Sequence, residues 1–298
     1  MEKNELENWR KAGRIAAESL QFGVSLVKPK TSVLEIAEKI EERISQLGGK
    51  PAFPVNISTN ETAAHYSPFP NDTLLLKADD IVKIDIGVHI VGCIGDCAGT
   101  IDLSGKNQRL VKASEEALKA AVKLLTENQA IEICKLGKAI EETIKKQGFQ
   151  PIKNLSGHII QKWNLHAGLN IPNYDNGDET KLEKGDIIAI EPFATTGCGF
   201  IDEGRPSGIF IVANLKNTRD IYARRVLEEI KSYNNLPFAK RWLAKKFDMN
   251  MDRIIAILSR EGTIREYGHL VERSKGLVSQ AEHTLYIGDE VEVLTASK

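Results

Sequence analysis

Two aspartates stand in otherwise apolar sequence at residues 82–96, VKIDIGVHIVGCIGD. Burying one carboxylate is costly, and burying two near each other is worse, because each loses its water and feels the other's charge. If 82–89 and 92–99 form a hairpin with Ile90-Val91 as a two-residue loop, Asp85 lies directly opposite Asp96, with Cβ atoms about 5 Å apart. That loop lacks the Asn-Gly pair favoured in such turns. Two facing carboxylates require a shared proton or, better, a divalent cation, which supplies charge and oxygen-seeking coordination together. Without metal, at least one of the pair is expected to have a raised pKa. In this register Cys93 and Cys97 point away from Asp96 and read as small buried apolar residues, not ligands.

Other chemistry-bearing residues recur in similar settings. Glu191 ends the apolar run DIIAIE before Pro192, and Glu282 shares one face of an alternating strand with Val278, Gln280 and Thr284. His158 follows Ser156-Gly157, His166 lies in LHAG, and His65 lies in the polar loop AAHYSP. Taken singly, each reads as an edge residue or a satisfied polar group. Together they are harder to dismiss. Four carboxylates and an imidazole, if they converged, would balance two divalent cations of the Mn, Fe, Co or Zn type, which activate a shared water and polarise a carbonyl. That chemistry is hydrolysis of an amide or ester.

The elements that must position these groups follow from hydrophobic spacing. Residues 4–27 carry a helical repeat through Trp9, Ile15 and Leu20, and Ser32 with Glu35 forms a capping box for a second helix that runs to Gly48-Gly49. Residues 107–127 and 135–147 read as a second helix pair, followed by strands at 186–191 and 208–214. Two successive units of helix, helix and strands predict a pseudo-symmetric α+β fold, with helices covering one face of an antiparallel sheet. Residues 216–270 break the rhythm with three helix-like segments, and strand pattern returns at 276–287 and 290–294. The expected division is a catalytic unit, 1–215 and 271–298, interrupted by a helical insertion, 216–270. Its basic residues Arg224, Arg225, Lys240, Arg241, Lys245 and Lys246 read as a solvated face.

Composition bounds the function classes. The 298 residues carry a formal net charge of −1, which argues against a whole-molecule field for nucleic acid or membrane. No run approaches the roughly 20 apolar residues of a spanning helix. The polar start MEKNELENWRKAG is unlike a secretory signal, and four cysteines without paired spacing suit reduced thiols. A cytoplasmic globular protein is expected.

The segments AFPVNISTNETAAHYSP (52–68), KIDIGVHIVGCIGD (83–96), NLSGHIIQKWNLHAG (154–168), AIEPFAT (189–195) and QAEHT (280–284) resemble the methionine aminopeptidases of peptidase family M24. The match is to the type 2 branch in its short, archaeal-like form. The resemblance implies a pita-bread (creatinase/aminopeptidase) fold with a winged-helix-like helical insertion, and two divalent ions drawn from Co, Mn, Fe, Zn or Ni. It further implies that Asp85 chelates one ion, Asp96 and Glu282 bridge both, and His158 and Glu191 bind the second, Glu191 also assisting proton transfer. His65 and His166 match histidines that contact substrate and tetrahedral intermediate; Phe53, Leu165, Ile209 and Tyr267 fall where the methionine side chain is received. The implied reaction removes the initiator methionine from nascent chains with a small second residue, by a monomer, with no DNA or membrane partner. Glu191 and Glu282 are 91 positions apart, which leaves the room that marks type 2. Ala281 stands where phenylalanine is usual, Trp163 where tyrosine is, and Cys97 where a small hydroxyl residue is, leaving pocket shape open. Two rivals remain: a prolidase or Xaa-Pro aminopeptidase, whose histidine motifs are not evident here, and a non-catalytic relative that binds RNA or the ribosome. The basic helices could serve ribosome proximity.

Overall fold

The computed structural model describes residues 3–128 and 130–296. A long helix, α1 (Lys3–Leu26), buries Trp9, Ala12, Ile15 and Ala16 at helical spacing. Helix α2 (Val33–Gln46) begins at Ser32, whose hydroxyl accepts the Glu35 N–H at 3.4 Å. Glu35 pairs with Lys39 instead of reaching back, so half of the expected capping box forms. Short strands β1 (Lys50–Pro51), β2 (Asn56–Thr59) and β3 (Thr62–Ala64) lead to the hairpin of β4 (Ile81–Ile90) and β5 (Cys93–Asp102). The second helix pair is α3 (Gln108–Glu127) and α4 (Ile133–Lys146). It precedes β6 (Gln150–Pro151), β7 (Ser156–Ile160), β8 (Asn170–Pro172), β9 (Ile187–Ile190), β10 (Phe193–Thr195) and β11 (Ile201–Val212). The three expected further helices are α5 (Ile221–Lys231), α6 (Lys240–Lys246), which directly follows β12 (Phe238–Ala239), and α7 (Met251–Arg260). Then come β13 (Ile264–Glu272), β14 (Val278–Gln280), β15 (His283–Ile287) and β16 (Val291–Val293).

The two units are near copies. Helices α2 and α4 each have 14 residues, each is followed by a glycine at positive φ (Gly48 at 83°, Gly148 at 90°), and each leads to a two-residue strand ending in proline. Strand β1 then pairs with β4 and β6 with β10, both antiparallel. One apolar core joins α1 and α2 to β4, and a second joins α3 and α4 to β9 and β15. A third, built on Val226, Leu227, Ile230, Leu243, Ile254 and Leu258, holds α5, α6 and α7 together against Phe210 and Ile264.

The hairpin register differs from expectation. Ile90 pairs with Cys93, so the loop is Val91-Gly92, with φ of 50° and 87°. Both loop residues need positive φ in a type I′ turn, and glycine adopts it without strain, so the turn settles one residue later than Ile90-Val91. Asp85 consequently faces Ala98, and Asp96 faces Gly87. Because facing residues share a side of the sheet, the shift keeps both aspartates on one face, as diagonal instead of direct neighbours. Cys97 points to the opposite face and is buried against α1 and α2, as read from the sequence.

The two units meet edge to edge at one isolated bridge between β5 and the turn into β15, where the Glu282 N–H donates to the Ala98 carbonyl at 3.1 Å. Thr284 reinforces it: its hydroxyl accepts the Asp96 N–H and donates to the Asp96 carbonyl, both at 2.7 Å. The fully buried Lys83 adds a second tie, donating to the carbonyls of Asn60 at 2.9 Å and Val278 at 3.1 Å.

The basic cluster is a solvated face at Arg224, Arg225, Lys245 and Lys246, as expected, but not at Arg241. Lys240 pairs with Asp252, Lys245 with Glu38 and Lys246 with Glu229. Arg241 is 2% exposed; it pairs with Glu41 on α2 and donates to the Ser67 hydroxyl at 2.6 Å. Glu41 also accepts the indole N–H of Trp242 at 2.9 Å and the Val55 N–H at 3.2 Å. Helical spacing places both acidic and basic residues on outer faces; only the packing of α6 on α2 turns Arg241 inward.

Candidate active site

A cavity of about 240 Å³ opens where β4, β5, β7 and the β9–β10 connection converge. Asp85, Asp96, His158 and Glu191 line it, together with His65, His166, Phe53, Leu165, Ile209 and Tyr267. Glu282 does not reach its surface, yet offers a carboxylate oxygen to two donor groups, one with Asp96 and His158 and one with Asp85 and Glu191. Within each group the donor atoms lie within 4.8 Å of one another. The structure thus brings together all eleven residues singled out in the sequence.

Each position has a local cause. Asp85 and Asp96 share the inward face of the hairpin. His158 projects from β7 opposite Ala189 of β9, and Glu191 sits in the break that Pro192 makes between β9 and β10. Glu282 occupies the equivalent break between β14 and β15. His65 follows β3 at φ 64°, its Nδ1 3.3 Å from the Gly268 carbonyl and its ring edge-on to Tyr267. His166 stands edge-on to His158, ring centroids 4.4 Å apart. Phe53 packs against Gly87, where any Cβ would come within 2.2 Å of its ring.

The electrostatics are those of a site suited to a cation. Burial pushes the Asp85 carboxyl up to about 7, with the Gln280 amide pulling the other way. Burial, then the charge of Asp85, raises Asp96. Burial and the neighbouring carboxylates raise Glu191 and Glu282. Burial also lowers His158 to about 3 and His65 to about 4, so both imidazoles are neutral at pH 7. Asp85 Oδ1, Asp96 Oδ1, Glu282 Oε2 and His158 Nδ1 are buried without a hydrogen-bond partner. Buried polar atoms seldom stay unpaired. Four carboxylates and a neutral imidazole, with acceptor atoms to spare, fit divalent metal.

Four residues at the site had no role in the sequence reading. Gln280 directs its side-chain N–H groups at Glu191 Oε1 (2.8 Å) and Asp85 Oδ2 (3.4 Å), steering two candidate ligands at once. Thr284 holds the Asp96 backbone. Asn56, opposite Asp85 across β2 and β4, and Pro237 both line the cavity. The alternation of Gln280 and Thr284 with Glu282 was visible; their partners were not, and Pro237 arrives from a distant segment.

Residues 7–218 match metallopeptidase family M24. A methionine aminopeptidase of Thermococcus onnurineus is 47% identical over 98% of this chain and 99% of its own length. The fold is shared with a methionine aminopeptidase from Thermotoga maritima, at TM-score 0.72 and 22% identity over 100% of this chain and 98% of the other. It is also shared with a thermophilic Arx1, at TM-score 0.85 and 15% identity over 100% and 92%. A prolidase from Pyrococcus furiosus matches at TM-score 0.61 and 20% identity, over 100% of this chain but 65% of the other.

Proposed function

The chain belongs to metallopeptidase family M24 and, within it, to the methionine aminopeptidases, and from that premise we propose that the convergent carboxylates and histidines are the machinery of initiator-methionine removal. One observation carries this reading: four of the five donors of two metal-sized groups line one cavity together with an apolar side-chain recess. There Asp85, His158 and Glu191, with Asp96 and Glu282 shared, would hold two divalent ions. Co, Mn, Fe, Zn and Ni all suit the set. Bound there, the metals supply Lewis-acid activation of water and of the scissile carbonyl.

The chain's own residues do the rest. Phe53, Leu165, Ile209 and Tyr267 receive the methionine side chain, a recess that excludes water and fixes the scissile bond near the donors. His65 and His166, neutral at pH 7 because burial lowers both, each offer one N–H to the oxygen that gains charge during attack. Glu191, raised in pKa by burial, is suited to take up a proton and pass it to the leaving amine. In this reading a small second residue is preferred through steric limits at the position after methionine.

The catalytic unit in this reading is 1–215 with 271–298, and 216–270 is the helical insertion of type 2 enzymes. The protein acts as a monomer in the cytoplasm, near the ribosome, where its substrates arise. The test assays Met-Ala-Ser and Xaa-Pro peptides after chelation and again after adding back single metals. Cleavage of Met-Ala-Ser only with metal is expected. Activity that survives thorough chelation would sink the metal mechanism, and a preference for Xaa-Pro would move the assignment to prolidase chemistry.

A further inference from the structure

A second cavity, of about 330 Å³, lies between α5 and α6 on one side and β1 and β4 on the other, large enough for a small ligand. Aromatic rings line it from both sides. Tyr233 follows α5 and Trp242 belongs to α6, their ring centroids 5.8 Å apart. His89 on β4 and Trp163 after β7 form the other pair, with centroids 4.8 Å apart.

Trp163 is held there against its own preference. Its φ is 61°, which bulky residues rarely adopt, and its N–H donates to the Gly92 carbonyl at 2.9 Å. The ring packs so closely on Gly92 that any Cβ there would come within 2.5 Å of it. Such strain persists only where the surroundings impose it, and it gathers at ligand sites.

The polar groups add a sign. Lys50 pairs directly with His89 across β1 and β4, so the two side chains leave one face of the sheet together. His89 Nδ1 accepts the Gly92 N–H at 3.4 Å, which leaves the ring proton on Nε2. Among the described residues neither that N–H nor the Lys50 ammonium has a hydrogen-bond or salt-bridge partner. The carboxylate on the cavity, Glu229, is already paired with Lys246 and accepts the Tyr233 hydroxyl at 3.4 Å. The uncompensated charge is therefore positive.

We propose that this cavity binds a small planar aromatic anion, its ring against Trp163 and Trp242 and its anionic group on Lys50 and His89 Nε2. Rings of this kind stack on aromatic side chains, and an anion on an ammonium makes the stronger class of hydrogen bond. A mononucleotide and an aromatic carboxylic acid share this chemistry. None of the metal donors lines the cavity, so the inference stands apart from the peptidase reading.

Isothermal calorimetry on metal-loaded full-length protein tests it. The probes are adenosine 5′-monophosphate and indole-3-acetate, against their neutral counterparts adenosine and tryptophol and their ringless counterparts phosphate and acetate. One probe at least is expected to bind about tenfold or more tightly than either of its counterparts, and the tighter probe tells nucleotide from aromatic acid. Lys50→Ala should weaken that probe about tenfold. Trp163→Gly, which suits the positive φ and removes the ring, should also weaken it about tenfold. Thermal unfolding verifies that each variant is folded; if the glycine variant does not fold, Lys50→Ala decides. No binding of either probe at millimolar concentration overturns the proposal. So does a probe that binds no more tightly than its neutral or ringless counterpart, or one whose affinity is unchanged in a folded variant, which would place the anion on the catalytic metals instead.

Discussion

At the residue scale, the ligands and the groups that aim them should separate experimentally. Asp85→Asn and Glu282→Gln each remove a charged donor from a cluster that already has unpaired buried atoms. Both variants are expected to lose peptidase activity and bound metal while keeping wild-type circular dichroism; an active Asp85→Asn protein with full metal content would contradict its role. Gln280→Leu leaves every donor in place but releases Asp85 and Glu191 from their shared amide. Loss of such an outer partner typically costs about 10–100-fold in metal affinity or activity. Metal titration followed by activity should therefore show weaker loading for this variant, with activity recovering at high metal; undiminished affinity would show the amide to be a bystander.

At the element scale, the contact between α6 and α2 is where the 216–270 segment grips the rest of the molecule. Arg241 and Glu41 are a buried pair, and removing one partner of such a pair costs about 3–5 kcal/mol because the other charge is left stranded. Arg241→Met should lower the unfolding free energy read from urea titration by that order, and Glu41→Gln with Arg241→Met together should cost less than the two single changes summed. Additive effects in that double-mutant cycle would show that the two charges do not interact. Elements of this kind mark the limit of what the sequence makes legible. The helices, the strands and the inward face of Asp85 and Asp96 follow from periods of 3.6 and 2, which survive small errors. Register does not: a loop placed one residue early turned a diagonal pair into a facing one, although the shared face survived because parity did. The burial of Arg241 is a property of two helices that are distant in sequence, and no local pattern encodes it. The site itself was legible only as a set of residue types and motifs, since spacing along the chain does not say that β5, β7, β9 and β15 converge.

At the scale of the whole molecule, the proposed metal centre spans both units: Asp85 and Asp96 come from the first, His158, Glu191 and Glu282 from the second. Metal should therefore clamp the molecule. A ligand at 100 times its Kd stabilises the folded state by about 2.7 kcal/mol, so chelation is expected to lower the melting temperature and metal to restore it, whereas equal melting with and without chelator would place the ions outside the fold. The sign of the pH dependence follows from the raised carboxyls. Metal-free Asp85, held up to about 7 by burial, keeps its proton below that pH, and metal must expel it. His158, lowered to about 3, is already neutral and releases none. Apparent metal affinity should thus climb from pH 5.5 to 7.5, with protons released on loading at pH 6; a flat profile with no proton release would count against buried, protonated ligands.

The bridge between Ala98 and Glu282 also sets a timetable. A polypeptide made from its N-terminus holds Asp85, Asp96, His158 and Glu191 well before Glu282 is added, and domains fold as units during synthesis. The first helix pair with its hairpin can form early, but the strand edge that receives Glu282 must wait. Until then both donor groups lack the carboxylate they share. Peptidase activity is therefore expected only once Glu282 has been added, and chains cut short of it should be inert toward Met-Ala-Ser.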